Sequence, residues 1–153
     1  MRHIGQVQVQ RLSSERSGSS EFYTLQPSDQ TMLVQVGAGV IEDLFVHHAH
    51  TDQLLVVQGS LVLVVLQNRQ YEYIALNGHT PTVVTIPSGV PHGAINLSPE
   101  TCTVVNSVLR HGPPHEKDYR PFEPPFPYDI ARALQLTKET TDIKGHTPLL
   151  KVL

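Results

Sequence analysis

The chain has 153 residues, of which 39% are apolar and 16% charged, and its formal net charge is -3. That length is one domain's worth and can bury enough apolar surface to fold without staples. The charge balance supplies no basic field, so neither nucleic acid nor an anionic membrane is an expected partner. The longest wholly apolar run, Leu61 to Leu66, is far too short to span a bilayer. The opening MRHIGQVQVQRL has no apolar signal-peptide core, so the expected location is the cytoplasm.

In chain order, Ile4 to Leu12 alternates polar and apolar residues and predicts a first strand. SSERSGSS at 13–20 predicts a flexible polar loop. Then come EFYTL, TMLVQV, IEDLFVHH, QLLVV, LVLVVLQ, QYEYIAL, TVVTIP, GAINL and TCTVVNSVL. These runs are rich in Val, Leu, Ile, Thr and Tyr and are bounded by Gly, Pro, Asn, Asp or Ser, the pattern of strands joined by turns. Many short strands predict a sandwich or barrel and not βαβ units. Strand parity offers Val46, Val56, Val62, Val64, Ile86 and Val104 as pocket wall. The single cysteine, Cys102, rules out an intrachain disulfide and reads as a small buried residue.

The remainder differs in composition. Six prolines fall between Pro113 and Pro127, and proline removes ladder donors and fixes φ, which predicts an extended arm. Asp129 then opens a short helix with apolar Ile130, Ala131, Leu134 and Leu136 and a stop near Thr137. The expected division is a barrel over 1–111, then an arm, helix and apolar tail over 112–153 that pack on the barrel or on a partner subunit. A homodimer is the expected assembly.

Nine histidines are the unusual feature. His48 and His50 are two apart, so in a strand both point to one face, with Phe45 and His47 on the other. Two imidazoles one pleat apart can meet a single ion. Asp52 has the same parity, and Gln53 is the next polar candidate. Further along, TIPSGVPHGAIN holds Pro87-x-Gly89-x-x-His92-x-x-x-Asn96. Pro and Gly predict a tight turn that aims His92 at the first pair. A three-nitrogen site with open positions is a familiar catalytic arrangement.

These two segments resemble the motifs of the cupin superfamily. The second motif matches at Pro87, Gly89, His92 and Asn96, and the first at His48, His50 and Gly59. The resemblance implies an all-β fold, a single cupin double-stranded β-helix or jelly-roll barrel. It also implies a metal set of His48, His50 and His92 with Gln53 or Asp52, holding a divalent transition metal (Fe, Mn, Ni, Zn or Cu) and acting on a small polar molecule. Counting back six intervening residues from Gly59 reaches Asp52, where such cupins usually have Glu. The stretch from Asp52 to Asp129 is also similar to the sugar-nucleotide branch, the 3,5-epimerases and 3,4-ketoisomerases. That likeness implies a metal-independent histidine base, His48 or His50, and in the epimerases a tyrosine acid. TCTVVNSVLRH has no tyrosine, and Tyr119 or Tyr128 of the arm would have to return to the site. A third reading is a non-catalytic module that binds a small ligand.

Overall fold

The structure is a computed structural model that describes residues 6–16 and 18–145, with side chains as far as residue 140. The apolar tail at 149–153 and residues 1–5, which include Ile4 and Gly5 of the predicted first strand, lie outside the described residues. The punctuated, β-branched runs become eight strands: β1 (Gln8–Arg11), β2 (Gln30–Val36), β3 (His50–Gln58), β4 (Ser60–Gln67), β5 (Gln70–Asn77), β6 (Thr82–Ile86), β7 (His92–Ile95) and β8 (Cys102–Arg110). They form two antiparallel sheets, one ordered β1-β6-β3-β8-β2 and the other β5-β4-β7. This is the jelly-roll architecture that the sequence predicts. Among the described residues no helix is long and apolar enough to cross a membrane.

Alternation along the strands builds the interior. His50, Asp52 and Leu54 of β3 face inward, as do Val104, Asn106, Val108 and Arg110 of β8. On β4 the parity is one off from expectation. Leu61 and Leu63 face the cavity, whereas Val62 and Val64 pack outward with Ala133 and Leu136. A single-residue shift moves every side chain of a strand to the other face. A covered outer face made both parities of β4 apolar, so its composition could not reveal the register. Of the predicted wall residues only Val104 lines the cavity.

Two predicted strands are absent. EFYTL at 21–25 has no ladder partner, and IEDLFVHH at 41–48 makes only isolated bridges, Ile41 to Ile95, Leu44 to Phe122 and Phe45 to His92. The second segment passes very close to β7. A Cβ placed on Gly93 would lie 2.5 Å from the Asp43 carbonyl oxygen. The proline arm closes over this segment through Phe122, and Tyr71 donates its hydroxyl hydrogen to the Phe126 carbonyl at 2.7 Å.

The helix α1 (Ile130–Gly145) covers β4 and β5. Asp129 caps it, accepting from the Arg132 amide at 2.9 Å. Its own amide donates to the Tyr73 hydroxyl at 2.7 Å. The helix runs past the predicted stop at Thr137 because that threonine is buried, not terminal. Thr137 and Thr140 bond back to the carbonyls of Ala133 and Leu136 at 2.8 and 2.9 Å and continue the buried stripe.

Asn96 closes the second motif. Its amide donates to the carbonyls of Val36 and Glu100, both at 2.9 Å, and its oxygen accepts from Ser98. The residue is a fully buried tie between β2 and the turn after β7. Gly93→Ala should destabilise the fold by about 2 kcal/mol through overpacking against backbone that cannot retreat. Urea denaturation measures this, and an unchanged midpoint would show that the 41–45 segment yields freely.

Candidate functional site

A cavity of about 240 Å³ opens inside the barrel. Its floor is aliphatic, with Val34, Val36, Leu61, Leu63 and Val104. Its polar side gathers His47, His50, Asp52, His92 and Asn106, with Glu42, Arg110 and Tyr119 also lining it.

Asp52 is the hub of that side. Its Oδ2 lies 3.0 Å from His92 Nε2 and 3.2 Å from His47 Nε2, and its Oδ1 lies 3.3 Å from His50 Nε2. Asn106 donates to Oδ1 at 2.9 Å. A carboxylate has about four acceptor sites, and these four neighbours occupy them. Burial by itself raises the Asp52 pKa, but the contacts from His47, His50 and His92 outweigh it and hold the carboxyl well below the usual carboxylate range. Asp52 is therefore an anion at any working pH.

Second contacts orient the rings. His92 Nδ1 meets the Val90 carbonyl at 2.9 Å. A carbonyl only accepts, so Nδ1 carries a hydrogen, and Nε2 faces a carboxylate as well. Both nitrogens of His92 are thus committed to oxygen acceptors, which calls for a hydrogen on each or a cation in place of the Nε2 hydrogen. The rings of His47 and His50 stack with centroids 3.9 Å apart, and the Nδ1 of each is buried with no hydrogen-bond partner. The His50 Nδ1 lies 3.8 Å from Oδ2 of Asp118. Burial raises the Asp118 pKa, but the amides of His48 and Ala49 and the charges of His47 and His48 bring it below the ordinary value. Burial raises Glu42, with the Ala94 amide and His92 opposing.

The turn that carries Pro87 and Gly89 does more than aim His92. Gly89 has φ of 86°, a conformation suited to glycine, and its amide donates to the His47 carbonyl at 2.7 Å. The second motif thereby holds the first in place.

The sequence-predicted residues divide accordingly. His50, Asp52 and His92 converge. His48 does not; it is exposed on the rim with its ring 4.8 Å from that of His115, and His47 occupies the inward position instead. The parity rule failed because β3 begins only at His50, and residues 47–49 are irregular backbone to which a period of two does not apply. Gln53 also leaves the set. As the next residue after Asp52 in a true strand it faces the other way, and its amide donates to the carbonyls of Pro27 and Ser107 at 3.0 and 2.8 Å. Sequence reasoning missed His47, Asn106, Asp118 and Glu42. Asn106 was detectable as a lone amide at inward parity within an apolar strand, but Asp118 arrives on the arm, without periodicity. Tyr119, one of two open alternatives, stands 6.3 Å from both stacked imidazoles by ring centroid. Tyr128 instead packs with Tyr71 under the helix, its hydroxyl buried and its pKa raised by burial. The Cys102 thiol is pushed up to about 11 by burial, in keeping with an unreactive core residue.

The polar side also fits a metal ion. His47, Asp52 and His92 offer ligand atoms within 4.8 Å of one another, a spacing that ligands sharing one ion at about 2 Å each can adopt. His92, with its Nδ1 tied to a carbonyl, has the outer contact usual for a ligating imidazole.

No protein-family model and no curated protein matches the chain. Solved structures do match. The WlaRB TDP-quinovose 3,4-ketoisomerase from Campylobacter jejuni superposes with a TM-score of 0.61 at 16% identity, over 76% of this chain and 92% of that one. The RmlC dTDP-6-deoxy-D-glucose-3,5-epimerase from Legionella pneumophila, in complex with dTDP-4-keto-L-rhamnose, gives 0.57 at 16% identity over 73% and 71%. The fold is the RmlC-like jelly roll. The capsular polysaccharide assembling protein CapF from Staphylococcus aureus matches with a TM-score of 0.54 at 20% identity over 74% of this chain, which spans only 34% of CapF.

The charge at Asp52 has a pH signature. A carboxyl held low in the fold contributes fully above its unfolded value, about pH 4, and that contribution drains away as the pH falls further. Asp52→Asn should cost about 3 kcal/mol at neutral pH, because it leaves buried imidazoles without their anion. It should also flatten the acid limb of stability between about pH 5 and pH 2. Chemical denaturation of both proteins across pH measures the two effects, and parallel curves would remove Asp52 as the hub.

Proposed function

We propose that the chain is a sugar-nucleotide isomerase or epimerase that moves a proton at a carbon next to a keto group. The observation that carries this reading is the His47–His50 pair. Each ring turns Nε2 to one buried carboxylate and leaves Nδ1 without a hydrogen bond. An imidazole that donates to a carboxylate on one side holds a basic lone pair on the other, the arrangement a general base needs. His92, with both nitrogens committed, is a scaffold in this scheme. The proton leaves the carbon for the imidazole, its electron pair becomes an enolate at the carbonyl, and the proton returns to carbon. Return from the same imidazole at the neighbouring carbon, with the hydroxyl proton of the first carbon passing to the enolate oxygen, moves the keto group. Donation from Tyr119 to the opposite face of that carbon inverts the centre. The solved neighbours that act on thymidine-linked deoxysugars support the choice of substrate class.

The test is incubation with a TDP-4-keto-6-deoxy sugar in deuterium oxide, read by proton NMR. Exchange beside the keto group is expected, with a loss of about 100-fold or more in His47→Asn or His50→Asn and little change in His48→Asn. Tyr119→Phe should retain exchange and lose any inverted product. Absence of exchange in the parent protein removes this reading.

A second reading is favoured by the two committed nitrogens of His92. His47, His92 and Asp52, whose ligand atoms lie within 4.8 Å of one another, would hold a divalent transition metal, which would supply Lewis-acid polarisation of a substrate carbonyl. Elemental analysis of protein purified without a nickel column should then give one equivalent of metal that is lost in His92→Ala. A parent protein that takes up none on addition leaves the proton-transfer reading alone.

A further inference from the structure

Arg110 ends β8 and lines the same cavity as the imidazoles. In the ladder its backbone pairs directly with His50, so the two side chains share the inward face. The guanidinium Nη2 donates to the Gln30 side-chain oxygen, and the backbone amide of Arg110 donates to Asp29 Oδ2 at 2.8 Å. Nη1 is shielded from solvent and has no hydrogen-bond partner. Among the described residues Arg110 makes no ion pair, whereas Asp52 and Asp118 pair with histidines. A buried cationic donor without an acceptor is costly, and planar guanidinium matches carboxylate or phosphate oxygens.

We propose that Arg110 is a specificity residue that binds an oxyanion carried on, or joined directly to, the sugar ring whose carbon meets His47 and His50. This inference rests on the proposed reading of the cavity as a keto-sugar site. Arg110 and His50 are cross-strand neighbours that line the same cavity, which sets the anion beside the reacting carbon. The remaining wall is largely aliphatic, so Arg110 is the cation there able to hold an anionic group against the pull of bulk water. Arg69, the other cation near a strand end, has φ of 62° in the β4–β5 turn, is exposed, and does not line the cavity. Two sources supply the oxyanion: the first phosphoryl of a nucleoside-diphosphate sugar, or the ring carboxylate of a uronic acid.

Calorimetric titration of the full chain with thymidine diphosphate, glucuronate and glucose tests this. The parent protein is expected to bind one of the two anions, with glucose much weaker. Arg110→Met should bind that anion 10- to 100-fold more weakly, the size of one charge-assisted contact, with an unchanged melting temperature. If Arg110→Met fails to fold, Arg110→Gln carries the same expectation. Selective binding of thymidine diphosphate identifies the phosphoryl source. Selective binding of glucuronate identifies the carboxylate source, keeps the role of Arg110 and removes the nucleotide. Equal anion affinity in parent and variant overturns the proposal while the nucleotide-sugar reading stands on its exchange assay. No binding of either anion by the parent overturns it outright.

Discussion

A carboxylate buried in an aliphatic barrel is an expensive thing to keep, and the way Asp52 is compensated organises the rest of the molecule. Its neighbours come from separated parts of the chain: His47 and His50 from the approach to β3, His92 from β7 and Asn106 from β8. The contact with His92 exists only once the two sheets close, since β3 and β8 share one sheet and β7 lies in the other. Removing a charge from water is repaid only when partners and hydrogen bonds are all in place. Closure of the barrel thus completes the compensation of Asp52 by adding His92 to the partners that β3 and β8 already supply.

The two faces of the smaller sheet carry different work. Its outer face is sealed by α1 and the aromatic cluster of Tyr71, Tyr73 and Tyr128, while its inner face contributes Leu61, Leu63 and His92 to the cavity. The arm links the two. It bonds to the outer sheet through Phe126, bridges the 41–45 segment through Phe122, and brings Asp118 and Tyr119 to the histidines. Proline suits such a segment because an extended strap needs a stiff backbone and no ladder partners. The jelly roll itself implies no reaction, since one fold hosts many chemistries. The reading offered for this chain depends on which ring nitrogens are committed and which are free.

Much of the fold was legible in the sequence. Turn residues and β-branched runs placed eight strands, Pro87, Gly89 and His92 marked the turn into β7, and Asp129 marked the helix start. The site was legible in part. Within β3 the alternation of His50, Asp52 and Leu54 held, because a regular strand enforces it. One residue upstream the strand ends, and the assignment passed from His48 to His47. The counting from Gly59 that reached Asp52 was the better signal, since it ran wholly inside β3 and its turn.

The sequence by itself determined the local chemistry: which residues extend, where the chain turns, and that histidines sit beside a carboxylate before a glycine turn. Those are short-range effects of φ, ψ preference and alternation. Tertiary structure decided what no window of sequence contains. It set which parity of the all-apolar β4 faces inward, because α1 covers the other face. It turned Gln53 to the outer side of the sheet, and it delivered Asp118 and Tyr119 from an arm without periodicity. It also left the Nη1 of Arg110 buried with no acceptor, since a donor's lack of a partner is a property of everything packed around it.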